Sequence, residues 1–254
     1  MHSLHRCLLV VALTVALGAC GSDGSTKPTG ATKANEPIPT PSLTIQDVME
    51  LEPFAPLEPG TYLIDPDLDP STPLRVEYEI SADGWSQWIG ATKFAKDGHV
   101  AVSIITVTNL VRHGCRDHSR PDPPVGPSGD DLASALADLA PFRVTAPPTD
   151  VTIYGYRGKH LKLTVPDLPM KGRGDDRRFV GCIGGQLKSW VDPLSQPNKG
   201  DAFYGYSGPG HTEEFWILDV EGSRLVIEAN WSPSPSPEDI TEMRAILDSI
   251  QIEP

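Results

Sequence analysis

The run FWILDVEGSRLVIEANW, residues 215–231, sets two strand-length apolar segments on either side of Glu221-Gly222. Glycine in a short polar step between β-branched and aromatic segments is a turn signal, so the run predicts an antiparallel hairpin. Upstream, LRVEYEI (74–80) alternates strictly. Leu74, Val76, Tyr78 and Ile80 share one face and Arg75, Glu77 and Glu79 the other, which is the pattern of a half-buried strand in an antiparallel sheet. GTYLIDP (60–66) reads as a short strand stopped by Pro66, and VAVSIITVTNLV (100–111) as a central strand. VTIYGYRGKHLKLTV (151–165) holds two strand-like runs about a glycine turn.

Two segments switch to helical spacing. SGDDLASALADLAPF (128–142) places Leu132, Leu136 and Leu139 on one face, behind Asp130 and Asp131 and ahead of Pro141. SPEDITEMRAILDSI (236–250) opens with Ser236 as cap and Pro237 at its first position, and Ile240, Met243, Leu247 and Ile250 line one side. Strands, helix, strands, helix, without regular βα alternation, predict an α+β fold: a largely antiparallel twisted sheet with two amphipathic helices packed on it. The closing order of RLVIEANW, short helix and LDSIQIEP resembles the C-terminal end of the PsbP-like fold in small actinobacterial lipoproteins of the LpqN type. That resemblance spans about 40 residues and implies a PsbP-like sandwich without supplying a functional motif.

At the N-terminus, Arg6 precedes the apolar run Cys7 to Leu17, which matches the hydrophobic region of a secretion signal and is too short to cross a bilayer. Leu17-Gly18-Ala19-Cys20 follows and resembles the lipobox of bacterial lipoproteins. The resemblance implies that residues 1–19 are a signal peptide and that Cys20 becomes the new N-terminus carrying a diacylglyceryl group with palmitate-type chains. Two acyl chains hold a protein stably on a membrane. The next residues, to about 45, are Gly, Ser, Thr and Pro with little to bury, a disordered tether. Residues 46–254 then form a single α+β globular domain. Net charge is −13, and loss of Arg6 with the signal takes it to −14. Such an excess of acid argues against nucleic acid as a partner. Richness in Ala, Gly, Pro and Asp with few lysines suits a high-GC Gram-positive source.

With Cys7 removed and Cys20 lipidated, Cys115 and Cys182 remain, and an even pair in an exported chain is most economically a disulfide. The surrounding RHGCRDH (112–118) offers His113 and His118 near zinc-ligand spacing, but Cys182 brings no second ligand. A catalytic thiol would need a base and an oxyanion hole that are not visible. The histidines then read as solvated loop residues.

YGYRGKH (154–160) and YGYSGPGH (204–211) echo each other. Tyr154, Tyr156, Tyr204 and Tyr206, with His160 and His211, are candidates for an aromatic ligand wall with polar groups; packing at a sheet edge is the alternative. Trp85 and Trp88, bracketed by Gly84 and Gly90, are candidates to line a groove. Ser207 falls in a near match to G-x-S-x-G that fails at Pro209. Glu213 and Glu214 read as acids flanking a strand edge. No catalytic residue, metal ligand or cofactor is assigned. The expectation is a lipid-anchored cell-envelope protein on the outer face of the cell membrane, a non-enzymatic binding or accessory module for a small molecule, lipid, glycan or protein partner. The alternative is an envelope hydrolase using Ser207 or His160 and His211.

Overall fold

The 215–231 run folds as the predicted hairpin, with Glu221 (φ 51°) and Gly222 (φ 90°) both left-handed at the turn. Left-handed backbone at both central residues matches the twist of the flanking strands, and the Gly222 N–H donates to Asp219 Oδ1 at 2.9 Å. The computed structural model describes residues 45–96, 98–173, 176–191, 203–206 and 208–254. In chain order these hold β1 (Gln46–Asp47), β2 (Pro56–Leu57), β3 (Gly60–Ile64), β4 (Arg75–Ile80), β5 (Trp85–Trp88), β6 (Gly90–Ala95), β7 (Gly98–Thr106) and α1 (Gly129–Ala137). There follow β8 (Arg143–Ile153), β9 (Tyr156–Thr164), β10 (Met170–Lys171), β11 (Arg178–Phe179), β12 (Lys188–Val191) and β13 (Phe203–Gly205). The last elements are β14 (Thr212–Val220), β15 (Ser223–Trp231), α2 (Pro237–Asp248) and β16 (Gln251–Glu253). Among the described residues no helix is long and apolar enough to cross a membrane.

Eight strands form one sheet in the order β2-β5-β6-β7-β15-β14-β9-β8, and every pairing in it is antiparallel. The hairpin therefore sits at the centre of the sheet, β15 against β7 and β14 against β9. LRVEYEI forms β4 as expected but belongs to a second sheet, β1-β3-β4-β16, in which β1 and β3 run parallel. The architecture is α+β, dominated by a large antiparallel sheet with two helices.

The helices cover opposite faces of that sheet. Trp216, Leu218, Leu225 and Ile227 face Met243, Ile246 and Leu247 of α2 and Val76, Tyr78 and Ile80 of β4 in one core. Phe215, Ile217, Val226, Leu161 and Leu163 face Leu132 and Leu136 of α1 in the other. Residues alternate between faces along a strand, so a strand with a core on both sides is buried nearly throughout, as β14 is. Ser128 and Asp131 form a reciprocal capping box on α1, and the Ser236 side chain accepts from the Asp239 N–H at 3.0 Å on α2. Gly158 lets β9 approach β14: a Cβ there would lie 2.1 Å from the Ile217 carbonyl oxygen.

Candidate functional site

Cys115 and Cys182 are bonded, with Cα atoms 4.5 Å apart, and the bridge belongs to a small core with Val165, Phe179, Leu187 and Tyr206. The neighbouring histidines shape their own loop instead of standing in solvent. His113 Nδ1 accepts from the backbone N–H groups of Cys115 and Arg116, each at 3.1 Å, so this nitrogen carries no proton. His118 Nε2 lies 2.9 Å from the Gly114 carbonyl, which requires it to donate. Among the described residues no group of three or more His, Cys, Asp or Glu is placed to hold a metal.

The two Tyr-Gly-Tyr copies do not meet, so the four-tyrosine wall is corrected. Tyr154 (φ 54°) and Gly155 (φ 86°) make the β8–β9 turn, and Tyr154 and Tyr156 pack against the α2-side core. The Tyr154 hydroxyl donates to the Leu247 carbonyl at 2.8 Å; burial, with Asp248 nearby, pushes its pKa up to about 12. His160 shares that face, its ring 5.3 Å from Trp216 and Nε2 2.9 Å from Glu214 Oε1. Tyr204, Tyr206 and His211 lie on the opposite face. The echo splits because its first copy turns at a hairpin tip while its second leads from β13 into β14. His160 and His211 are thus separated by the sheet, and Ser207 lies outside the described residues, as do Cys20 and the lipobox. Trp85 is also corrected as a groove residue: it is 1% exposed and its Nε1 donates to Glu242 Oε2 at 3.1 Å. Trp88, three residues on, points to the other face of β5, as strand alternation demands.

Trp88 does line a cleft, of about 170 Å³, whose other walls are Phe54, Phe94, Tyr204 and Gly205 and whose polar groups are Thr92, His99 and Asn230, beside Ala101. Phe54 stacks on Trp88 with centroids 5.1 Å apart and 11° between planes, and Phe94 leans on Phe54 at 5.9 Å. Phe54 (φ 64°) is carried on a turn tied to β5 through Gln87 N–H to Ala55 O at 2.7 Å and Phe54 N–H to Gln87 O at 3.1 Å. Phe54 and Phe94 remain 50% and 62% exposed. From Phe94, ring contacts run through His99 (6.2 Å), His211 (5.1 Å) and Tyr206 (5.4 Å) to Tyr204 (5.3 Å). Tyr204 is backed by Trp190 at 4.6 Å. On the floor, His99 Nε2 is 3.2 Å from Asn230 Oδ1 and its Nδ1 is 3.1 Å from Ser232 Oγ. Burial lowers the His99 pKa against the raising influence of Asn230, and burial with His99 nearby brings His211 to about 3. Both rings are neutral at neutral pH.

Beside the floor, on the same face of the sheet, lies a pair of carboxyl groups. Glu213 of β14 and Glu228 of β15 share the α1 face of the sheet and are 1% and 0% exposed. The Tyr206 hydroxyl donates to Glu213 Oε2 and lies 2.7 Å from Ser189 Oγ. Glu213 Oε1, both Glu228 oxygens, Ser103 Oγ, Trp190 Nε1 and both His211 nitrogens have no protein hydrogen bond of good geometry. Glu213, Ser103 and Asn230 nonetheless stand close enough to influence the ionisation of Glu228, which burial raises to about 7. Burial and the Glu228 charge drive Glu213 well above the carboxylate range. Two carboxyls this close in a dry core cannot both ionise, so the pair holds a proton at neutral pH. The sequence reading missed this group. It took Glu213 for an edge residue, whereas β14 is interior; the available signal was Glu228 and Asn230 sharing a strand face with Val226 in a segment that alternation places in the core.

No family model and no curated protein matches the chain. Among solved structures it is similar to LpqN, involved in cell envelope biogenesis of Mycobacterium tuberculosis, at 12% identity over 79% of this chain and 90% of that one, with a TM-score of 0.27.

Proposed function

We propose that this chain is an exported cell-envelope protein, held at the outer face of the membrane through lipid on Cys20, whose folded unit binds a small molecule in the Trp88 cleft. The cleft carries the reading: rigid aromatic walls supply contact area, and three neutral polar side chains on the floor supply orientation. A volume near 170 Å³ suits one ring or one compact head group of a larger ligand. The anchor rests on Leu17-Gly18-Ala19-Cys20 and the apolar run before it. The closing order of hairpin, α2 and β16 supports a PsbP-like assignment within the α+β class. The His160–His211 form of the hydrolase alternative loses its motivation, since the two rings lie on opposite faces of the sheet, and its Ser207 form rests on a residue outside those described.

The test is ligand-observed NMR on the purified folded unit with benzyl alcohol, methyl glucoside and choline as probes, in the wild type, Trp88→Ala and Tyr204→Ala. Binding of at least one probe that both substitutions weaken is expected. Binding that neither substitution changes, or no binding of any probe, overturns the reading. For the anchor, intact mass of protein taken from its native membrane should show diacylated Cys20; an unmodified full-length chain would refute it.

A further inference from the structure

The ligand in the cleft has a charge, and the residues around it say which. Phe54, Trp88, Phe94 and Tyr204 line one small space, and aromatic ring faces attract a cation through their quadrupoles. On the same sheet face stand Glu228, two residues along β15 from the floor residue Asn230, and Glu213, the cross-strand partner of Asn230 on β14; three of their four carboxyl oxygens have no protein hydrogen bond of good geometry. Besides burial, the groups that act on their ionisation are each other, Tyr206, Ser103 and Asn230. Their field reaches the cleft wall: both raise the pKa of Tyr204 after burial itself, and Asn230, which lines the cleft, touches on Glu228. The whole chain is acidic, at −13.

Resting on the binding reading above, we infer that the cleft takes an organic cation, an amine or quaternary ammonium head group, and that the buried Glu213–Glu228 pair releases a proton when the cation enters. The proton passes to solvent, and the ligand charge replaces it as the partner of the carboxylate. Among the described residues, Tyr204 and Tyr206 from the β13 segment, His211 before β14 and His99 on β7 stand around the pair and the cleft. The tyrosines are held well above the ordinary range by burial and the two carboxyls, and His99 and His211 are held below theirs. Between pH 6 and 8 the acid pair is therefore the group in this shell that titrates.

The experiment compares choline with 3,3-dimethylbutan-1-ol, its neutral isostere, by calorimetry on the wild type at pH 6 and pH 8. At pH 8 choline should bind about tenfold tighter than the alcohol, of the order a desolvated cation–π contact plus a buried charge supplies. That preference should shrink several-fold at pH 6 and in Glu228→Gln, and binding near pH 7 should release protons, read from buffers of different ionisation heat. Trp88-dependent binding of the alcohol with no preference for choline at pH 8 would overturn the cation class and leave the cleft reading standing. A choline preference unchanged between pH 6 and 8 in the wild type would overturn the role of the acid pair whether or not the variant folds. Binding of neither probe would overturn the inference, and the failure of methyl glucoside and benzyl alcohol as well would take the cleft reading with it.

Discussion

Replacing Glu228 with glutamine should change how stability depends on pH, by an amount the burial of the acid pair sets. Glu228 titrates near pH 7 in the fold against an ordinary value of 4.5, chiefly because burial disfavours its charge. A folded pKa above the unfolded one means that the contribution is fully present below about pH 4.5 and is lost as pH rises through about 7. The shift is worth about 3 kcal/mol at ~1.4 kcal/mol per pKa unit. Glu213, raised further by burial and by Glu228, adds a second proton of the same sign. Between pH 5 and 7 the acid pair should therefore contribute a loss approaching two protons, about 2.7 kcal/mol per pH unit. His99 and His211, whose pKa values burial lowers, contribute with the opposite sign as pH rises through the unfolded histidine value. The slope of Glu228→Gln should accordingly differ from that of the wild type by about one proton. Glutamine keeps the size of the side chain and offers an amide donor to a carboxyl oxygen that has none, so the variant should also be the more stable protein at pH 8. Urea denaturation at pH 5, 6, 7 and 8 measures both. Equal slopes in the two proteins would refute the burial of an unbalanced acid pair.

Reducing the Cys115–Cys182 bond, which closes a separation of 67 residues, or changing Cys115→Ser, should cost about 4 kcal/mol in the chain-entropy account; an unchanged urea midpoint would show that the bridge constrains nothing. Gly158→Ala places a methyl group 2.1 Å from the Ile217 carbonyl oxygen, so β9 must move off β14 at about 2–3 kcal/mol, and faster amide exchange across the β9–β14 ladder would report it. On the other face, burial pushes Glu214 upward, but hydrogen bonds from Arg244 and His160 outweigh it and hold the carboxyl below its ordinary range. This pair therefore contributes above the usual carboxylate range and is lost as pH falls through the folded value. Arg244→Met should flatten the acid side of the stability profile, and a variant as acid-sensitive as the wild type would remove the pair from the account.

Local features of the chain were legible because their physics is local. Period-two alternation in LRVEYEI and in 215–231, left-handed Glu221-Gly222, and the caps at Ser128 and Ser236 each involve residues within a few positions of one another. The cysteine pairing came from counting, since the expected loss of Cys7 and lipidation of Cys20 would leave two. The candidate site was legible only at Trp88 and Tyr204, and for the wrong companions.

Strand order could not be read, because it depends on which long-range pairing buries the most surface: β15 joins β7 across more than a hundred residues, and pairing of β14 with β9 on its other side moves Glu213 from an expected edge into the core. The β15–β7 pairing puts Glu228 beside Ser103 and Asn230 beside Ala101 and carries His99 to Asn230. Composition, export pattern, turn and cap positions and the α+β class belong to the sequence by itself, since each follows from residue type and short spacing. The cleft, its acid pair and the charge of what fits there belong to the tertiary structure, since they exist only where the Phe54 turn, β5, β6, β7, β13, β14 and β15 bring side chains together from stretches far apart in the chain.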